Sequence, residues 1–185
     1  RRAQRDVVLK LVPDSDAARR EAEALRAVGA DHAAEFLGSF NLQPTADTDG
    51  GIVLVLEAAT PGADVCISSL CRRADTPSAG GGGGVGGGGS RSGEALLVTA
   101  FAQRVLQLVA RVHEVGLVHC DLKPQHFMRF GGGGTLKLVD FGSAVRQDWT
   151  TRVAHSRRYC PPELAEVVCA SPAATTRVRA AHDVW

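Results

Sequence analysis

The segment His119-Cys120-Asp121-Leu122-Lys123-Pro124-Gln125-His126, followed beyond a glycine turn by Asp140-Phe141-Gly142, sets two acidic residues 19 positions apart in a chain of 185. Phe127-Met128 and Thr135 to Val139 read as the strands of a small hairpin on either side of Gly131–Gly134. Loops that bracket a hairpin can aim their carboxylates into one cleft. Such a pair suits metal-assisted phosphate chemistry, because one carboxylate orients a nucleophile while the other holds a divalent cation. Either motif alone is a weak signal. In this order and at this separation they are hard to produce by accident.

Upstream, Glu94 to Val115 carries the strongest helical signal. Leu97, Phe101, Val105, Leu108, Val112 and Val115 recur every three or four residues and share one face, and Gly116 ends the run. Further back, Asp6 to Val12 reads as a buried strand closed by Pro13. Asp14, Ser15 and Asp16 offer N-caps for a helix over Ala17 to Val28, with Gly29 as its stop. Glu35 to Phe40 and Ile52 to Glu57 read as two further strands. From Asp75 to Gly93 the chain is rich in Gly and Ser without periodicity, the composition of a flexible insertion. The expected fold class is α+β in two lobes. A strand-rich small lobe spans 1–57, a hinge segment 58–74, the insertion 75–93, and a mainly helical large lobe with the catalytic hairpin 94–185.

Composition narrows the function classes. Twenty-one Lys and Arg against 20 Asp and Glu leave a net charge of +1, which argues against a dedicated nucleic-acid or polybasic membrane module. Thirteen of the 21 glycines sit in three runs, so the glycine excess is local and marks loops. Five scattered cysteines form no C-x-x-C pair and fit reduced thiols, which places the expected setting inside the cell, in the cytoplasm. No apolar run approaches the ~20 residues of a membrane-spanning helix.

Seven stretches in order resemble the catalytic domain of a eukaryotic-type protein kinase. Val7-Val8-Leu9-Lys10 resembles the strand whose lysine grips the α- and β-phosphates of ATP. Arg20 to Leu25 resembles the helix whose glutamate, here Glu21, pairs with it. Leu54-Val55-Leu56-Glu57 resembles the strand before the hinge, with Leu56 as gatekeeper and Glu57 to Ala59 along the adenine. His119 to Met128 resembles the catalytic loop, Asp140 to Gly142 the metal-binding turn, Ser156 to Glu163 the end of the activation segment, and Asp183-Val184-Trp185 the start of an anchoring helix. Lys123 and Ser156 point to the serine/threonine branch. The glycine-rich loop and most of the large lobe are expected outside these residues, so the domain reads as incomplete.

The resemblance implies ATP and Mg²⁺ (or Mn²⁺) as cofactors and a protein as substrate. In it, Asp121 accepts the substrate hydroxyl's proton, Lys123 offsets charge on the transferred phosphate, and Ser156 hydrogen-bonds both. Lys10 is held by Glu21, and Asp140 ligates the cation. Three positions depart from the pattern. His126 stands where an Asn would hold a second metal; an imidazole suits Mn²⁺ or Zn²⁺ better than Mg²⁺, and hydrogen bonding within the loop outweighs ligation. Cys120 replaces an Arg and reads as a small buried filler. Lys10 and Glu21 lie only 11 residues apart, with Glu23, on another helix face, as the fallback partner. His113 reads as a surface or packing residue, and Trp149 as a packing residue. A pseudokinase scaffold is the alternative function, and a small-molecule phosphotransferase a more distant one.

Overall fold

The computed structural model describes residues 5–45, 49–60, 90–152, 156–171 and 173–184. The hinge segment beyond 60, the insertion from 75 to 89, and Trp185 lie outside them.

Among the described residues, the small lobe is a three-stranded antiparallel sheet with one helix. Strands β1 (Val7–Val12), β2 (Phe36–Leu42) and β3 (Gly51–Glu57) are ordered β1-β3-β2, and Lys10 sits opposite Leu54. Helix α1 (Ser15–Val28) starts two residues after Pro13. Its N-cap Asp14 accepts from the Asp16 and Ala17 amides at 2.8 and 3.3 Å, supplying acceptors the first turn lacks. It ends at Gly29, whose φ of 90° suits glycine far better than other residues. One face of α1 buries Ala18, Glu21, Ala22, Leu25 and Val28.

Strand β1 corrects one expectation. It forms where the apolar run predicts, yet Val7, Val8, Leu9 and Leu11 are each 44–60% exposed. The reason is its place at the sheet edge, with β3 as its neighbour on one side. Periodicity reports a strand, not how many neighbours cover it.

The large lobe opens with α2 (Ser90–Glu114), one turn earlier than the composition suggests. Ser90 to Gly93, read as the end of the insertion, are helical, because extending an existing helix is far easier than nucleating one. Of the predicted apolar stripe, Leu108 and Val112 are fully buried and Phe101, Val105 and Val115 pack partly against the core. Strand β4 (Leu117–Val118) pairs with β7 (Val145–Arg146), and β5 (Phe127–Phe130) with β6 (Thr135–Leu138) as the expected hairpin. Short strands β8 (Thr150–Thr151) and β9 (Thr176–Arg177) pair with each other, and α3 (Pro162–Ala170) lies between them in sequence. Trp149, expected to pack, is 58% exposed.

One core serves both lobes. Leu25 and Val28 of α1, Leu54 and Leu56 of β3, Leu108 and Val112 of α2, Phe127 and Leu138 of the hairpin, and Phe141 belong to a single buried cluster. The hairpin is thus wedged between the lobes, and the loops at its two ends open on the same side. No described helix is long and apolar enough to cross a membrane.

Candidate active site

Three elements bring charge to one point. Strand β1 supplies Lys10, α1 supplies Glu21, and the turn after β6 supplies Asp140. Lys10 Nζ donates to Glu21 Oε1 at 2.8 Å and to Asp140 Oδ1 at 2.7 Å, across 130 residues of sequence in the second case. Glu21 is 2% exposed, while Glu23 lies on the exposed face of α1, so the 11-residue spacing reaches the first glutamate. Burial alone would lower the Lys10 pKa, but its hydrogen bonds to Asp140 and Glu21 outweigh that and raise it.

The Asp140 turn is tightly specified. Asp140 itself adopts a left-handed conformation (φ 61°), unusual outside glycine though least costly for Asn and Asp. A Cβ on Gly142 would lie 3.4 Å from both Lys10 Nζ and Asp140 Oδ1. The hydrogen bond from His126, working against burial and joined by that from Lys10, holds the Asp140 carboxyl well below the usual carboxylate range.

On the other side of the hairpin, Asp121 is held by Lys123 and Ser156. Lys123 Nζ donates to Asp121 Oδ2 at 2.8 Å and to Ser156 Oγ at 3.2 Å, and the Ser156 amide donates to Asp121 Oδ1 at 2.7 Å. Burial pushes the Asp121 pKa up, but the hydrogen bonds from Lys123 and Ser156 outweigh it and keep the group below its ordinary value.

Between the two aspartates lies His126, 6% exposed, with Nε2 3.3 Å from Asp140 Oδ2. Its Nδ1 is buried and has no partner among the described residues. Donor atoms of Asp121, His126 and Asp140 all lie within 4.8 Å of one another. Two are carboxylate oxygens, the donors Mg²⁺ favours, and the third is an imidazole nitrogen, a donor more congenial to Mn²⁺. The set fits a divalent cation.

The hinge residues sit at the end of β3. Leu56 is buried in the core cluster. The side chain of Glu57 is engaged elsewhere: it pairs with Lys137 Nζ at 2.6 Å and Arg5 at 3.1 Å, and accepts from the Glu35 amide at 3.2 Å. The Glu57 side chain is therefore committed to these partners, and Ala59, two residues on, is half-buried.

Sequence reasoning missed a buried anchor. Asp183, whose side chain is 1% exposed, accepts from the His119 amide at 2.7 Å, from the Cys120 amide at 2.9 Å, and pairs with His113 Nε2 at 3.0 Å. His113, read as a surface or packing residue, belongs to this network. The Asp-Val-Trp motif marked the segment; nothing local to it said what the carboxylate would bind. His119 is fully buried, its pKa lowered by burial, and its Nε2 faces the Val139 carbonyl at 3.2 Å while the ring packs on Phe141. Cys120 is buried at φ 67°, and burial pushes its thiol up to about 12, so it is an inert filler.

The fold and this charge cluster define a protein kinase domain, and a sequence profile of that domain matches residues 4–185. The chain belongs to the protein kinase domain family. Among similar proteins, the dual specificity protein kinase Ttk of Danio rerio is 34% identical over 92 residues, covering 46% of this chain and 9% of that protein. The probable serine/threonine-protein kinase mps1 of Dictyostelium discoideum is 30% identical over 142 residues, covering 72% of this chain and 12% of that protein. Dual specificity tyrosine-phosphorylation-regulated kinase 3 of Homo sapiens is 38% identical over 71 residues, covering 37% of this chain and 12% of that protein. The chain thus spans about a tenth of the length of these relatives.

Proposed function

We propose that the protein to which this chain belongs transfers the γ-phosphoryl group of ATP to serine or threonine hydroxyls of protein substrates. The observation that carries this reading is the double contact of Lys10 Nζ with Glu21 and Asp140. An ammonium fixed between two carboxylates is already aimed where phosphate oxygens would lie. Phosphoryl transfer asks chiefly for positioning and electrostatics, so such preorganisation matters more than covalent chemistry.

Lys10 grips the α- and β-phosphates while Glu21 keeps it from collapsing elsewhere. Asp140, with His126 and Asp121 at hand, would hold the cation; when bound, Mg²⁺ or Mn²⁺ would offset the charge of the triphosphate. Asp121 orients the substrate hydroxyl and accepts its proton, its depressed pKa keeping it ionised and ready. Lys123 places a positive charge beside the migrating phosphoryl group, and Ser156 fixes both Asp121 and Lys123. Leu56 closes the back of the nucleotide cleft, and the backbone of Glu57 to Ala59 runs along the adenine. The ring of contacts among Asp121, Lys123 and Ser156 supports the serine/threonine branch.

The test is transfer of labelled phosphate from ATP to generic protein substrates by the full-length protein, with Mg²⁺ and with Mn²⁺, followed by phosphoamino-acid analysis. Lys10→Met and Asp140→Ala should each lower transfer by about 10²-fold or more, the scale of losing one preorganised electrostatic group. His126→Asn should raise Mg²⁺-supported turnover relative to Mn²⁺. Wild-type transfer no greater than that of Asp140→Ala with either metal overturns the reading.

A further inference from the structure

Helix α1 ends in carbonyls that need donors, and the donors come from the other lobe. Arg111 of α2 donates from Nε to the Val28 carbonyl at 3.2 Å and from a terminal nitrogen to the Ala27 carbonyl at 3.3 Å. Seven residues earlier on the same helix, Arg104 donates to the Asp31 carbonyl at 2.7 Å and to the Leu136 carbonyl of β6 at 3.2 and 3.3 Å. The loop between α1 and β2 is itself laid on β6. The Leu138 amide bonds to the His32 carbonyl at 2.8 Å, the Ala34 amide to the Leu138 carbonyl at 2.9 Å, and Ala33 bridges Leu138 in parallel. Two guanidiniums therefore join the end of α1 and the strand leading to Asp140. Those two elements deliver Glu21 and Asp140 to Lys10.

We propose that Arg111, seconded by Arg104, is a positioning residue that clamps the C-terminal end of α1 so that Glu21 meets Lys10. The consequence for catalysis rests on the kinase reading given above. Leverage makes the clamp matter. Seven residues of helix separate Glu21 from Val28, about 10 Å at 1.5 Å per residue. A tilt of about 10° at the clamped end moves Glu21 by about 2 Å, enough to open a contact of 2.8 Å. The planar fork spans two carbonyls at once, which a lysine's single ammonium does with less directional control. A cation there also suits the negative end of the helix dipole. Glu114, 3.5 Å from Arg111, helps orient the fork.

The clamp borders an open cleft of about 500 Å³ lined by Val28, Asp31, His32, Arg104, Arg111 and Glu114. Removing the Arg111 side chain leaves the α1 carbonyls facing water rather than orphaned in a dry core. The variant is therefore expected to fold with a less constrained α1.

The experiment combines hydrogen exchange and steady-state kinetics on the full-length protein for wild type, Arg111→Ala, Arg111→Lys, Glu21→Gln and the Arg111→Ala/Glu21→Gln double variant. In Arg111→Ala, amides of residues 21–28 should exchange about tenfold faster, the scale of losing hydrogen bonds from a charged donor, while β5 and β6 keep their protection. kcat/KM for ATP should fall about tenfold in Arg111→Ala, less in Arg111→Lys, and the double variant should be no worse than Glu21→Gln alone. Losses that multiply in the double variant, or unchanged exchange in α1, overturn the clamp. If wild type transfers no phosphate, the kinase reading fails on its own terms, and exchange in α1 still decides whether Arg111 holds the helix.

Discussion

At the residue scale, Gly142 and Glu57 show how much depends on single atoms. An added Cβ at Gly142 would sit in van der Waals contact with Lys10 Nζ and Asp140 Oδ1 at 3.4 Å and with Glu21 Oε2 at 3.5 Å, so a methyl there would partly cover these charged groups from a ligand. Gly142→Ala should therefore weaken nucleotide binding several-fold while changing stability little, measured by titration with a fluorescent ATP analogue. Glu57 makes a different point. Burial alone would raise its pKa, but hydrogen bonds from Lys137, the Glu35 amide and Arg5 hold it below its ordinary value of 4.5. A carboxyl lowered in the folded state stabilises above its unfolded pKa and loses that contribution as pH falls through its folded one. Wild-type Tm should decline below about pH 4.5 as this pair is lost. Glu57→Gln should lower stability near neutral pH by about 2 kcal/mol, with a shallower acid decline. Parallel acid declines in the two proteins would show that Glu57 does not titrate with unfolding.

At the scale of elements, α1 and α2 were legible because their signals are local. Asp14 before a run of helix formers, Gly29 after it, and the apolar stripe on α2 each depend on neighbours within a turn or two. Asp14→Ala should cost about 1 kcal/mol, the usual worth of an N-cap, and should loosen the helix that carries Glu21. On α2, Leu108→Ala should cost about 2–5 kcal/mol, because Leu108 is fully buried in the shared core. Leu106→Ala, at a position 66% exposed, should stay within about 0.5 kcal/mol. Urea unfolding of both variants checks the contrast. Helix α2 starts a turn before Glu94: Ser and Gly at 90–93 read as linker, yet helix propagation from Glu94 outweighs their weak propensity. The exposure of β1 escaped notice because an apolar run says strand without saying centre or edge.

At the scale of the whole molecule, the loop bearing Asp121 is fixed from a segment more than 60 residues downstream. Asp183 takes up the amides of His119 and Cys120, so the loop bearing Asp121 is braced by a carboxylate outside it. Asp183→Asn puts an amide nitrogen where an acceptor is needed and should cost about 2–3 kcal/mol. Exchange of loop amides at 119–123 should rise in that variant, and unchanged protection there would show that the brace is not needed. The same principle joins the lobes through Arg104 and Arg111, which tie backbone carbonyls of α1, its following loop and β6 to one helix.

The primary sequence determined strands β1 to β3, helices α1 and α2, the β5–β6 hairpin, the acidic pair at 121 and 140, and Lys10 with a glutamate partner on α1. These are written in motif spacing and short-range periodicity, which act within a few residues of chain. The choice of Glu21 over Glu23 was settled by which face of α1 is buried. The engagement of Glu57 by Lys137, the bracing of the loop by Asp183 and the arginine clamp were settled only by the tertiary structure. Each depends on a charged or polar group meeting a partner 22 to more than 80 residues away. Such pairings follow from packing of the assembled core, and no local pattern in the chain encodes the direction in which those side chains finally point.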